Sequence, residues 1–335
     1  MRRFSIATDL STASRLSLGL FILIFVLPVI FRPARAQEKV DPVSSSCVPS
    51  DLDALVFSER HTVRVSESKE GFASKDGAKS ETASSDAFRA SKDVRQKKEM
   101  YSVLLKQARQ GNATAMVNVG LFSLAGWGTQ PNAGAALYWL HEAGDRGNNA
   151  AFYDLGILYL EGCGVRQDEA QAFHFFRLGA AAGNPGAQVN LGYLYDHGLG
   201  TTKDHGTAAY WYRQAAEAGE AHAQFNLADQ YLHGEGVPED EAAAFGWFQK
   251  AAFQGHTEAQ IMVGSMLYAG RGTSKDLRAA YLWIFAALLE GDERGAPTLR
   301  ALESQLTRVE IEQAKVRAQS FLATHKLASD VAVLP

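Results

Sequence analysis

The 335-residue chain has little cysteine: only Cys47 and Cys163, with no pair at zinc spacing. It has no Gly-rich phosphate loop followed by Lys, no H-E-x-x-H pair and no G-x-S-x-G elbow. These absences remove the usual sequence signatures of nucleotide, zinc-hydrolase and serine-hydrolase chemistry, so no cofactor and no catalytic residue is expected. Basic residues form no patch interleaved with aromatics, which argues against a nucleic-acid partner. The longest uncharged apolar run, Leu16–Ile30, is 15 residues, short of the about 20 needed to span a bilayer. Acidic clusters such as Glu239-Asp240-Glu241 fall where a helix is expected to begin, and there they complement the helix dipole.

What the chain does have is a period of 36 residues. Ala115, Ala151, Ala187, Ala223 and Ala259 repeat at that step. So do the turns Gly126-Trp127-Gly128, Gly162-Cys163-Gly164, Gly198-Leu199-Gly200, Gly234-Glu235-Gly236 and Gly270-Arg271-Gly272. Trp139, Phe175, Trp211, Trp247 and Trp283 keep step, as do Gly147, Gly183, Gly219, Gly255 and Gly291. Five units without an insertion mean a repeat array.

Within a unit, Ala187, Leu191, Leu194 and Tyr195 have helical spacing and stop at Gly198 and Gly200, where φ > 0 is needed. Asp204 then offers an N-cap to a second helix carrying Ala208, Trp211, Tyr212 and Ala215, which stops at Gly219. The cap column reads Asn132, Asp168, Asp204, Asp240 and Asp276, and Asn184-Pro185 has the cap-then-Pro order of a helix start. Small residues at Ala115, Gly120, Ala136 and their equivalents predict a close crossing, with the Trp/Phe column filling the space between the helices. Stacking must supply the core that one helix pair lacks.

The pattern A-x-x-x-L-G-x-x-Y-x-x-G-x-G-V/T-x-x-D-x-x-x-A-x-x-W-x-x-x-A-A-x-x-G resembles the Sel-1-like repeat, a relative of the tetratricopeptide repeat. It recurs in five full units starting near 115, 151, 187, 223 and 259, after a half unit at Val103–Gly111. Departures are few: Val119, Ser123 and Gly144 in the first unit, Phe175 and Gly179 in the second, Ala228 in the fourth, Val263 and Leu267 in the fifth. The resemblance implies an all-α, right-handed superhelical solenoid over residues 96–291 that binds other proteins. The spacing alone implies only a helical solenoid.

Around the array, residues 1–36 read as a secretory signal: Arg2 and Arg3, the apolar run, then Ala34-Arg35-Ala36. The alternative is an uncleaved anchor at residues 16–30. Either way export to a periplasm or cell exterior is expected. The signal holds five arginines and one aspartate, so the remainder carries 28 basic and 36 acidic residues, a net charge of −8. Residues 37–95 are rich in Ser and charge and read as a disordered arm, with a short apolar stretch at Asp51–Val65 that could dock. A Cys47–Cys163 disulfide would pin this arm to the second unit; otherwise Cys163 is an exposed thiol. Asn112-Ala113-Thr114 is a glycosylation sequon. The first helix is expected at 96–111. Residues 292–335 are expected to form two capping helices, Pro297–Leu306 and Val309–Leu322, and a frayed tail from Leu327.

The expected partner surface is the stripe of each first helix facing away from the second, by resemblance the concave face: Asn118, Asp154, Ile157, Glu161, Asn190, Tyr193, His197, Asn226, Asp229 and His233. An Asn amide can donate to and accept from an extended peptide whatever its side chains, or it can brace its own helix. His222, Asp229 and His233 share a stripe and could titrate with pH or, less readily, hold a metal. The resemblance thus implies an adaptor or regulator in the cell envelope. A cell-wall or antibiotic-directed hydrolase is the alternative proposed for some relatives, and a structural spacer is a third.

Overall fold

The computed structural model describes the backbone of residues 81–332 and the side chains of residues 94–324. The expected signal, Cys47 and the stretch at 51–65 lie outside the described residues. Within them the fold is all α, with no strand. A long α1 (Glu81–Arg109) is followed by α2 (Ala113–Ala125), α3 (Ala133–Asp145), α4 (Asn149–Glu161), α5 (Glu169–Ala181) and α6 (Pro185–His197). Then come α7 (His205–Glu217), α8 (Ala221–His233), α9 (Glu241–Phe253), α10 (Thr257–Ala269) and α11 (Leu277–Leu289). A short 3-10 turn at Glu293–Gly295 leads to α12 (Ala296–Glu303) and α13 (Arg308–Ala332). Each of α2 to α11 is 13 residues long, and they pair as α2/α3, α4/α5, α6/α7, α8/α9 and α10/α11. No described helix is long and apolar enough to cross a membrane.

The caps explain the even lengths. Asn132, Asp168, Asp204, Asp240 and Asp276 each accept a first-turn backbone N–H of the second helix. Their own N–H groups reach back to the first helix of the pair; that of Asp204, for example, donates to Tyr195 O at 2.8 Å. One residue therefore closes two helix ends. The first helices have a cap column of their own: Asn112, Asn148, Asn184 and His256 accept, and Glu220 makes no such bond.

Two small-residue columns set the crossing within a pair, and the alanines at 115, 151, 187, 223 and 259 are all 0–2% exposed. A Cβ on Gly120, Gly156, Gly192 or Gly264 would lie 2.4–2.9 Å from Leu140, Phe176, Tyr212 or Ile284. That corrects the expected filler. The buried plug is Leu140, Phe176, Tyr212, Phe248 and Ile284, all 0–2% exposed, one residue beyond the Trp/Phe column. A plug of this size contributes roughly 1.5–3 kcal/mol by burial. Trp139, Trp211 and Trp247 are only half-buried, because they sit on the adjacent flank of the helix. Phe175 on that flank stacks on Tyr159 with ring centroids 5.5 Å apart.

Neighbouring pairs are joined by the second glycine of each turn. A Cβ on Gly128, Gly200, Gly236 or Gly272 would lie 2.1–2.3 Å from the carbonyl oxygen of Lys97, Glu169, His205 or Glu241. At Gly164 the clash would be with the Ala133 Cβ, at 2.5 Å. Each turn thus rests on the start of the preceding second helix. Lys97 stands where Ala133 stands one period later, so α1 acts as the missing second helix of a half unit. Gln188, Gln224 and Gln260 add a brace: their amides donate to Ala180 O, Ala216 O and Ala252 O at 3.5, 3.1 and 3.4 Å.

Two boundary expectations change, and one alternative for cysteine is excluded. Helix α1 begins at Glu81, so residues 81–95 are helical where a structureless arm was expected. Helix α13 continues to Ala332, through the expected frayed tail, and packs Ala318 and Leu322 against Ala286 of α11. Cys163 is 1% exposed and disulfide-bonded, so it is not the exposed thiol of the alternative reading.

Two substitutions separate the roles of glycine. Gly219 has φ +100° with nothing within 4 Å of an added Cβ, whereas Gly200 has φ +66° and the Glu169 carbonyl 2.2 Å away. Gly219→Ala should cost about 1 kcal/mol, the left-handed backbone penalty alone. Gly200→Ala should cost roughly 2–4 kcal/mol, because backbone must also move. Urea unfolding of both variants checks the difference; equal costs would contradict the joint.

Candidate functional site

The first helices and the second helices carry different charge. Helices α2, α4, α6, α8 and α10 hold five carboxylates, Asp154, Glu161, Asp196, Asp229 and Glu258, and no Lys or Arg. The second helices carry Arg177, Arg213, Lys250 and Arg278 among their acids. Residues three to four apart on a helix share a face, so Asp154 and Glu161, two turns apart, lie on one stripe.

Burial perturbs these acids. Asp154 is half-buried, has no hydrogen-bond partner among the described residues, and its carboxyl is pushed up to about 7 by desolvation. The Asp229 carboxyl is also raised, by burial first; His233 opposes the rise while Glu235, Asp196 and Glu258 add to it. Arg294, beyond the last repeat, pairs with Glu258 and Asp292 and closes that end of the acidic layer.

The expected stripe residues meet varied fates. Asn118 and Asn226 are half-buried, Glu161 is exposed, and Ile157 packs against the core around Ala187 and Leu191. The Asn190 amide donates to Gly186 O of its own helix at 2.9 Å, which is the bracing role. Tyr193 and His197 face each other with ring centroids 4.1 Å apart. Their contact is fixed by the His197 Nδ1, 3.0 Å from Tyr193 O. His233 Nδ1 lies 3.2 Å from Asp229 Oδ1 and 2.9 Å from Asp229 O.

His222 does not join that pair. It turns to Glu220, 3.6 Å away, and to the His256 ring, 5.0 Å away. The metal-type group that the fold assembles among the described residues is instead Asp196, His205 and Glu235. Two open surface hollows lie elsewhere, at Tyr159 with the Val165–Asp168 turn and along Arg308–Arg317 of α13.

His256 is a functional-looking residue that the sequence reading passed over. It replaces Asn at a first-helix cap: its Nδ1 accepts from Ala259 N at 3.3 Å. Its ring stacks on Phe225 at 4.7 Å. Burial first, and His222 second, lower it to about 4. The cap column Asn112, Asn148, Asn184 was the available signal.

These shifts give opposite pH dependences. His256 has a depressed folded value, so its contribution is complete above the unfolded value of about 6.5 and is lost as pH falls toward 4. Asp154 has a raised folded value, so its contribution is complete below the unfolded value of about 3.9 and is lost as pH rises through 7. His256→Asn, which restores the cap of the other units, should flatten the acid loss of melting temperature between pH 6.5 and 4. Asp154→Asn should raise the melting temperature at pH 8 and leave it nearly unchanged near pH 4. Parallel melting curves for wild type and variants across this range would contradict the assignment.

The family model described as "Sel1 repeat" matches residues 113–148, 150–184, 185–220, 221–256 and 257–292. Among solved structures, a Sel1 repeat protein from Oxalobacter formigenes is similar at 31% identity and TM-score 0.56, over 60% of this chain and 58% of that one. A protective antigen present in uropathogenic Escherichia coli strains, displaying an SLR fold, is similar at 25% identity and TM-score 0.48, over 69% of this chain and 57% of that one. This chain therefore spans under two thirds of the length of either. No curated protein matches.

Proposed function

This chain belongs to the Sel1 repeat family, and from that premise we propose that it is an exported scaffold holding a positively charged, extended segment of another protein along its first helices. Sel1 repeat proteins are in general protein-interaction scaffolds and typically not enzymes. The observation that carries the finer reading is that the stripe of α4, α8 and α10 holds Asp154, Glu161, Asp229 and Glu258 while none of α2, α4, α6, α8 and α10 carries a Lys or Arg; Asp196 turns to the joint with His205 instead. Acids held above their ordinary range by desolvation are stabilised when a cation arrives, so part of the binding free energy is stored in the free protein. Direct contact between α4 and α6 supports the first helices as the inner, more crowded layer of the stack. Asn118, Asn226 and the Tyr193–His197 pair then supply amide and aromatic contacts beside the charge.

Export rests on Arg2, Arg3, the apolar run to Ile30 and Ala34-x-Ala36. With it, the scaffold acts as a regulator or assembly factor in the cell envelope, with no nucleic acid involved. No observation favours the hydrolase alternative.

The test is photo-crosslinking in intact cells from Glu161 and Asn226 on the first helices, with Tyr210 on α7, which is 52% exposed, as the control. The proposal expects a protein recovered outside the cytoplasm with Gln37 at its N-terminus. It also expects one dominant adduct from Glu161 and Asn226, mapping to a Lys/Arg-rich segment and missing from Tyr210. The same products from all three positions, or adducts only to residues 37–80 of the same chain, would contradict it.

A further inference from the structure

The joint between the third and fourth units differs from the others. Asp196 lies in the last turn of α6, His205 begins α7, and Glu235 sits between the glycines of the next turn, which rests on the His205 carbonyl. His205 Nδ1 is 2.6 Å from Asp196 Oδ1 and 3.9 Å from Glu235 Oε2. One ligand-type atom from each of the three lies within 4.8 Å of the others. Gln230 of α8 donates its amide to Asp196 Oδ1 at 3.1 Å. Gln230 is 2% exposed, and its Oε1 has no hydrogen-bond partner among the described residues.

The other units show what this joint requires. At the position of Asp196 they carry Leu124, Leu160, Leu232 and Tyr268; at that of Gln230, Phe122, Leu158, Leu194 and Met266. Where His205 meets Glu235, they pair Ala133 with Cys163, Glu169 with Leu199, and Glu241 with Arg271. The last is an ion pair at 2.6 Å. In the Asp196 and Gln230 columns packing is therefore satisfied without an acid or an amide. A half-buried acid and a buried amide with an orphan oxygen cost stability at positions where leucine serves. That the polar residues of both columns fall at this one joint is not explained by the fold.

We propose that Asp196, His205 and Glu235 form a zinc-type divalent metal site that clamps the third unit to the fourth. One imidazole nitrogen and two carboxylate oxygens are a donor set that zinc accepts, at about 2.0–2.2 Å per ligand, leaving a fourth position for water. Ligand atoms must then be roughly 3–3.5 Å apart. The observed separations bracket that range, and Glu235, 52% exposed, is free to swing inward. Gln230 is the positioning residue. Its amide holds Asp196 now, and a half-turn of that amide would direct the orphan oxygen to the same place. Asp229, whose carboxyl already feels both Asp196 and Glu235, adds negative potential beside the site. The clamp couples the site to the turn, since Glu235 is the only one of the three ligands that belongs to the fourth unit.

Zinc chloride titrated calorimetrically at pH 7.5 into the full chain, first stripped with chelator, tests this. The expected result is one ion per chain, with affinity at least tenfold weaker in Glu235→Gln and in His205→Gln and unchanged in His233→Gln. A zinc-dependent rise in melting temperature should appear in wild type and vanish in Glu235→Gln, whose exposed position leaves folding intact. The absence of saturable heat would overturn the proposal. So would unchanged affinity in both ligand variants, or loss in His233→Gln instead.

Discussion

The structure depends on a close contact made once per unit, backbone against backbone at four of the five turns. At the second glycine of each turn no Cβ fits, because the start of the preceding second helix occupies its place. A contact without side chains has no slack: the turn must have one length and the helices one length for the next carbonyl to arrive in register. This is the physical reason that five units keep a 36-residue period without an insertion and that all ten helices are 13 residues long. The side chain between the two glycines is delivered to the preceding unit, as Glu235 is to His205 and Arg271 to Glu241.

With the joint fixed, the two helices of a unit divide the work. The second helix supplies the large plug that fills the crossing, and the second helices together carry charge of both signs. The first helix supplies small residues toward that plug and presents its remaining stripe, which carries acids and no Lys or Arg. Desolvation holds Asp154 and Asp229 above the ordinary carboxylate range, a cost the free protein bears. That cost has a use if a cationic partner relieves it.

Much of this was legible in the sequence, for a physical reason: a period multiplies every local signal by five. Helix pairs, glycine turns and the Asn/Asp caps could be read because each column repeats its chemistry. The Trp column was misread as the crossing plug, since periodicity gives spacing but not which of two adjacent positions faces inward. Leu140, Phe176, Tyr212, Phe248 and Ile284 vary in type, so they made a weaker column than Trp while being more deeply buried. The start of α1 was misplaced because a Ser-rich, charged stretch gives no amphipathic signal. Asp196, His205 and Glu235 escaped notice because they are 9 and 30 residues apart, and only the joint brings them together. The 30-residue offset from Glu241 to Arg271 was the available clue, an opposite-charge pair at the same two positions one unit later.

The central claim is that the acidic first-helix layer is the working surface. It is tested most directly by Asp154→Asn, Glu161→Gln and Asp229→Asn combined, followed by quantitative recovery of bound protein from the native compartment. The account predicts unchanged helical circular dichroism and a melting temperature no lower than wild type, because relieving desolvated charge does not destabilise, together with loss of the bound partner. Full recovery of the partner by this folded triple variant would contradict it.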